Sequence, residues 1–131
     1  MIREASPGTL ISASVYTYPD SMLLRMQDWS KWATAGWLDF VVPLTNTRVA
    51  DLVDTLVRAA QGFAGVKTPV VAGIDAASMP TAARSFAPAL AGLVDAARAA
   101  GAYGVSISDT GVLSDEALFA LLDGPFRTPT E

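Results

Sequence analysis

The sequence contains no cysteine and no histidine. Without cysteine there is no disulfide framework and no thiolate chemistry. Without histidine the commonest metal ligand and the commonest general base are both absent. A zinc site and a Ser-His-Asp triad are therefore excluded within this chain, and no metal is expected. Basic residues are also few. Nine Lys and Arg stand against 13 Asp and Glu, for a net charge of -4 and a pI near 4.6. No basic stripe is available to neutralise phosphates, which argues against a nucleic-acid partner. No apolar run approaches the ~20 residues needed to cross a bilayer, so no membrane span is expected. The opening MIREASPGTL carries Arg3 and Glu4 and lacks the apolar centre of a secretory signal. Nor does a glycine-rich phosphate loop follow any strand. Asp109-Thr110-Gly111 is too short and too acidic for that role, and no cofactor is expected.

What is present is apolar and periodic. The 131 residues are 51% hydrophobic, with a mean hydropathy of +0.35, enough for a single domain spanning 1–131 with a real core. Short β-prone runs at 10–16 (LISASVY), 38–44 (LDFVVPL), 69–74 (PVVAGI) and 103–108 (YGVSIS) alternate with stretches of helical spacing. The first helix is expected over 21–35, broken near Asp28 as a cap and stopped by Gly36. The second is expected over 47–63, with Val49, Leu52, Val53, Leu56, Val57 and Ala60 on its buried face. The third carries Phe86, Leu90, Leu93, Val94 and Ala97, with Pro88 in its first turn and Gly101 past its end. Ser114 caps a last helix over 115–122, and the tail GPFRTPTE is expected to fray.

The pattern βαβαβαβα gives an α/β fold, a (βα)4 unit of parallel strands. The strands read as nearly continuous in apolar residues, as strands covered on both faces do. Two architectures fit this pattern: an open doubly wound sheet, or half of an eight-stranded barrel, which in full needs roughly 250 residues.

Gln27-Asp28-Trp29, Trp32, Gly36, Asp39-Phe40 and Pro43-Leu44 together form a segment that favours the second. It resembles the "QDW..W...G..DF..PM.Y" segment in the C-terminal half of the barrel in bacterial glycoside-hydrolase-like family 10 proteins. SASVY (12–16), VVAGIDA (70–76) and ARAAGAYGVSISD (97–109) resemble further pieces of that family, in the same order. The resemblance implies that the four strands are strands five to eight of a TIM (β/α)8 barrel. It also implies a glycosidase-like origin and a family that is often exported or held in the cell envelope. The departures are informative. The family's Met-x-Tyr is Leu44-Thr45-Asn46 here, the Phe-Ser-Tyr-like end of the last strand is Ile107-Ser108-Asp109, and the acidic Asp-x-x-x-Asp-Tyr type segment has no counterpart. The family's catalytic acid therefore has no position in this chain, and the isolated chain is expected to be inactive as a hydrolase.

In parallel α/β folds ligands sit at the carboxyl ends of the strands. The residues there are Tyr16, Tyr18, Thr45, Asn46, Asp75, Ser108 and Asp109. Tyr16, Tyr18, Thr45, Asn46 and Ser108 are candidate substrate-binding groups, since hydroxyls and amides bond sugar hydroxyls and aromatic rings stack on a pyranose. Asp75 and Asp109 are a candidate catalytic pair on neighbouring strand ends. Each has a plainer reading as the cap of a turn or of the following helix. Trp29, Trp32 and Trp37 are expected to wedge the first helix against the sheet, a sugar-stacking role for Trp29 being the alternative. Asp39, at the amino end of its strand, is expected to be structural, and Arg25 and Lys31 to be solvated charges. The functional expectation is carbohydrate binding or cleavage in a barrel completed by a missing N-terminal half, where it would be glycosidase-like, or by a second copy as a homodimer. The alternative is a small open-sheet domain that binds a small ligand or a protein partner without catalysis.

Overall fold

The computed structural model describes residues 2–79, 83–124 and 126, apart from the side chains of residues 83–86. The expected fraying of the tail falls almost wholly outside these residues, as does the side chain of Phe86. The elements run α1 (Ile2–Ala5), β1 (Ser12–Tyr16), α2 (Asp20–Arg25), α3 (Trp29–Thr34), β2 (Phe40–Leu44), α4 (Ala50–Ala64), β3 (Val71–Asp75), α5 (Ala83–Ala99), β4 (Gly104–Ser108) and α6 (Asp115–Asp123). One-turn 3-10 segments follow β3 and β4, at Ala76–Ser78 and Thr110–Val112. Asp28 breaks the first helical stretch as the sequence predicts, its carboxylate accepting the Lys31 N–H at the start of α3. Ser114 caps α6 by accepting the Ala117 N–H. Gly36 and Gly101 end α3 and α5 with φ of 73° and 82°, a left-handed conformation that glycine adopts without strain.

All four strands are parallel and lie in chain order, β1-β2-β3-β4. A doubly wound sheet needs a reversal of strand order to place helices on both faces. Here there is none, and right-handed crossovers in an unreversed sheet put every helix on the same side. The packing agrees. Val15, Val41, Ala72 and Ile74, with Ala13, Val105 and Ile107 partly buried beside them, pack in the same apolar clusters as residues of the helices. The alternate residues Ser12, Ser14, Phe40, Val42, Ser106 and Ser108 join neither cluster. The expectation of strands covered on both faces holds for the central strands, where Val42, Pro43 and Gly73 are buried, and is corrected for the edge strands, where Ser12, Ser14, Ser106 and Ser108 are exposed. One face of the sheet is roofed by helices, and the other is open along its two edge strands.

The core has two parts. Val15, Trp29, Ala33, Val41, Ala60, Ala64 and Val70 make one, under α3 and the end of α4. Val53, Val57, Ala72, Ile74, Leu90, Leu93, Val94 and Leu121 belong to the other, under α4, α5 and α6. Trp29 is fully buried and Trp32 half-buried against the first cluster, but Trp37 is 58% exposed and wedges nothing. Trp37 lies past the end of α3, in the link to β2, where the chain runs over the surface. Val49 and Leu52 are also exposed, contrary to the buried face assigned to them. Val49 only caps α4, and the buried stripe runs instead through Val53, Val57, Ala60 and Ala64. Pro88 lies inside α5 rather than in its first turn, because that helix begins at Ala83. An interior proline leaves the carbonyl four residues earlier without a helical donor.

The Val41 N–H donates to the Pro69 carbonyl and the Thr45 N–H to the Gly73 carbonyl. Two residues from each stands Pro43, buried and without an N–H. The ladder between β2 and β3 is therefore reduced to the Leu44–Gly73 pair and the Val41–Val70 bridge. The outer pairs are in register over whole strands, from Ser12–Phe40 to Tyr16–Leu44 and from Val71–Gly104 to Asp75–Ser108.

At the amino ends of the strands Asp39 has the structural role expected of it. Its Oδ2 accepts the Ile11 N–H at 2.6 Å and the Arg3 guanidinium at 3.1 Å. The Ile11 N–H holds the Asp39 carboxyl below its ordinary value of 3.8; partial desolvation opposes this and Arg3 reinforces it. A carboxyl whose pKa is depressed by folding adds stability above its unfolded value and loses that contribution as the pH falls through the folded value. Asp39→Asn is accordingly expected to be less stable than the parent at pH 6 by urea titration, with the difference closing as the pH drops below 3.8. A gap unchanged down to pH 2 would show that the carboxylate charge contributes nothing.

Candidate functional site

The carboxyl ends of the four strands form a rim, and each residue there is placed by how its strand ends. β1 ends at Tyr16, a residue that remains 40% exposed. The outward-turned backbone of this edge residue is closed by side chains. Its N–H donates to Gln27 Oε1 at 3.1 Å, and its carbonyl accepts from Trp29 Nε1 at 3.0 Å. Gln27 and Trp29, which flank the capping Asp28, thus seal the end of an edge strand. Arg25 is exposed, as expected of a solvated charge, and it also sits over the Tyr16 ring with its guanidinium carbon 4.6 Å from the centroid. A shallow hollow of about 160 Å³ opens beside them, lined by Tyr16, Thr17, Asp20, Leu24 and Arg25.

Two candidate residues are drawn into packing. Tyr18 turns to the helix side, its centroid 5.8 Å from Trp29 in an edge-on contact and 4.2 Å from Phe63, and its hydroxyl donates to Met22 Sδ. Thr45 is buried, and its Oγ1 donates to the Gly73 carbonyl at 2.9 Å, beside the Thr45 N–H at 2.8 Å. The turns after β2 and β4 hold Asn46 and Asp109 in the left-handed region, with φ of 35° and 55°. Both are exposed. Asparagine and aspartate tolerate that conformation better than other non-glycine residues, which accounts for their occurrence at these corners without any appeal to a ligand.

Asp75 and Ser108 are brought together, since they are in register at the ends of β3 and β4. The Asp75 carboxylate accepts the Ala77 N–H at 2.9 Å and so caps the 3-10 turn, while its carbonyl accepts the Ser78 hydroxyl. Asp109 makes no such capping bond to the turn that follows it. Of the candidate pair, one carboxylate is fastened to its own turn and the other stands in solvent.

The structure adds residues that sequence reasoning passed over. Ser12 and Ser14 precede Tyr16 on the open face of β1, and Gly104 and Ser106 precede Ser108 on that of β4. Both strands therefore present small, hydroxyl-bearing open faces. The signal was present as a strict alternation in SASVY and GVSIS. Comparison with protein-family models, with curated proteins and with solved structures finds no match for this chain.

Proposed function

We propose that this chain is a (βα)4 segment of glycosidase-like barrel type that binds a carbohydrate at its strand ends and does not hydrolyse it. The observation that carries this reading is the setting of Tyr16. An exposed ring, braced by Arg25, stands on the same open face as Ser14, Asp75, Ser106 and Ser108. A saccharide presents an apolar C–H face and a belt of hydroxyls, and this surface offers an aromatic plate beside hydroxyl and carboxylate acceptors. The unreversed strand order is that of consecutive barrel strands, in keeping with the resemblance of the Gln27–Leu44 region.

The absence of hydrolysis follows from the carboxylates. Cleavage needs two carboxyl groups flanking the scissile bond, ~5–5.5 Å apart for retention or ~6.5–9.5 Å for inversion, one of them a proton donor. Asp75 is engaged by the Ala77 N–H, Asp109 is exposed, and the family's acidic segment has no counterpart here.

Titration of the chain with soluble β-glucan, xylan, mannan and chitin oligosaccharides, followed by calorimetry and by release of reducing ends, tests both parts. Saturable binding without new reducing ends is expected, with Tyr16→Ala weakening it on the order of tenfold, about 1.4 kcal/mol. Hydrolysis that disappears in Asp75→Asn or Asp109→Asn would overturn the non-catalytic reading. Failure to bind any of these oligosaccharides would overturn the carbohydrate reading. Binding to a protein partner is the second reading, favoured by an exposed apolar groove along α6.

A further inference from the structure

That groove, of about 470 Å³, is lined by Ile107, Leu113, Leu118, Phe119, Leu122 and Phe126 among others, on the β4 side of the sheet. At the opposite edge, α2 holds Leu23, Leu24 and, just past its end, Met26 out in solvent, Leu24 at 75% exposure. The backbone is equally unfinished. Tyr16 marks the side of β1 that turns away from β2, and Ser12 and Ser14 turn their N–H and C=O groups the same way. On β4, the Tyr103 N–H reaches back to the Val70 carbonyl, so alternation turns Gly104, Ser106 and Ser108 outward. Neither edge strand carries a charge or a proline to blunt it.

We propose that a second copy of this chain closes the sheet. The β1 edge and α2 of each copy lie against the β4 edge and α6 groove of the other around a twofold axis, making a ring of eight parallel strands. Two observations select this occupant. A parallel sheet in chain order has two different edges, and a second copy supplies each with the other. The apolar surface on α2 lies at one edge and the apolar groove on α6 at the other, as head-to-tail contact requires. Because Gln27 and Trp29 already seal Tyr16, strand pairing across the seam is confined to Ser12 and Ser14, and the Tyr16 ring stays at the rim. There it stands beside Ser108 and Asp109 of the other copy. Resting on the carbohydrate reading, this makes each saccharide site a composite of two chains.

Sedimentation equilibrium at micromolar concentration should give twice the 13.7 kDa chain mass. Leu24→Glu and Phe119→Glu, both at exposed positions, should each give a folded monomer. Mixed one to one, they should recover a dimer, since one of the two seams is then free of substitution. Monomeric Phe119→Glu, whose substitution lies on α6 and not beside Tyr16, should bind oligosaccharide on the order of tenfold more weakly than the parent, about 1.4 kcal/mol. A parent that sediments at the chain mass with a cooperative melt overturns the closure. So does a dimer indifferent to both substitutions, which would use another face. A monomeric Phe119→Glu that binds as tightly as the parent overturns the composite site. A dimer that takes up no saccharide supports the closure while overturning the carbohydrate reading, so the two fail separately.

Discussion

Trp29→Ala is expected to lower the unfolding free energy by about 3–5 kcal/mol, the range for truncating a large buried aromatic. For a domain of this size that is a large share of the total. The effect has two sources. The indole is fully buried among Val15, Ala33, Val41, Ala60 and Val70, with Tyr18 and Phe63 set edge-on at 5.8 and 6.5 Å. Alanine would leave a hole between α3, α4 and the sheet. The second source is Nε1, which donates to the Tyr16 carbonyl. Trp29→Phe separates the two, since it keeps a ring but removes the donor, and should forfeit about 1 kcal/mol through the lost hydrogen bond. Trp37→Ala is the internal control. At 58% exposure it should change stability by no more than about 0.5 kcal/mol. Urea unfolding of the three variants decides the matter. A Trp29→Ala protein that melts like the parent but fails to bind saccharide would mean that Trp29 serves the ligand rather than the core.

Gly73→Ala is the second substitution expected to be severe, for the opposite reason. A Cβ at Gly73 would meet Leu44 Cδ2 at 2.9 Å, the Pro43 carbonyl oxygen at 3.0 Å and Leu44 Cα at 3.3 Å. The leucine tip can move, but the two backbone atoms belong to the neighbouring strand. Gly73 also accepts both the N–H and the hydroxyl of Thr45, so a shift of β3 would disturb the end of β2. Overpacking of this kind costs about 1–3 kcal/mol. Leu44→Ala introduced alongside should relieve only the side-chain part of the clash. Full recovery in the double variant would show that the backbone contacts are harmless, and a Gly73→Ala protein as stable as the parent would contradict the close approach altogether.

The strand and helix order was legible because the spacing of apolar residues switches between two and 3.6 along the chain. The break at Asp28 was legible because a capping residue stands between two short helical stretches. The covering of the two edge strands was misread. Counting alanine and valine in SASVY and GVSIS as a continuous apolar run hid Ser12, Ser14, Ser106 and Ser108, whose alternation marks an open face. The rim was legible as a set of positions, not as a set of available groups. Thr45 and Tyr18 lie one and two residues beyond strand ends, where the direction of the chain is no longer fixed by the pleat, and both turned into the packing. The sealing of Tyr16 by Gln27 and Trp29 joins residues 11 and 13 apart through a turn at Met26 in the left-handed region. No local pattern announces such a contact. Arg25 over Tyr16 belongs to the same turn and was hidden for the same reason.

Pro43 divides the molecule as well as the ladder. β1 and β2 share one apolar cluster with α3 and the end of α4, β3 and β4 share the other with α5 and α6, and α4 alone contributes heavily to both. The sheet between them hangs on two points of register. The chain is therefore built as two βαβ hinge-leaves on a shared spine, and α4 is the pin. Opening of one leaf leaves the other with its own core and its own full-length strand pair. The fewest strand-to-strand pairings thus fall at the centre of the sheet, and α4 spans that line by packing into both cores.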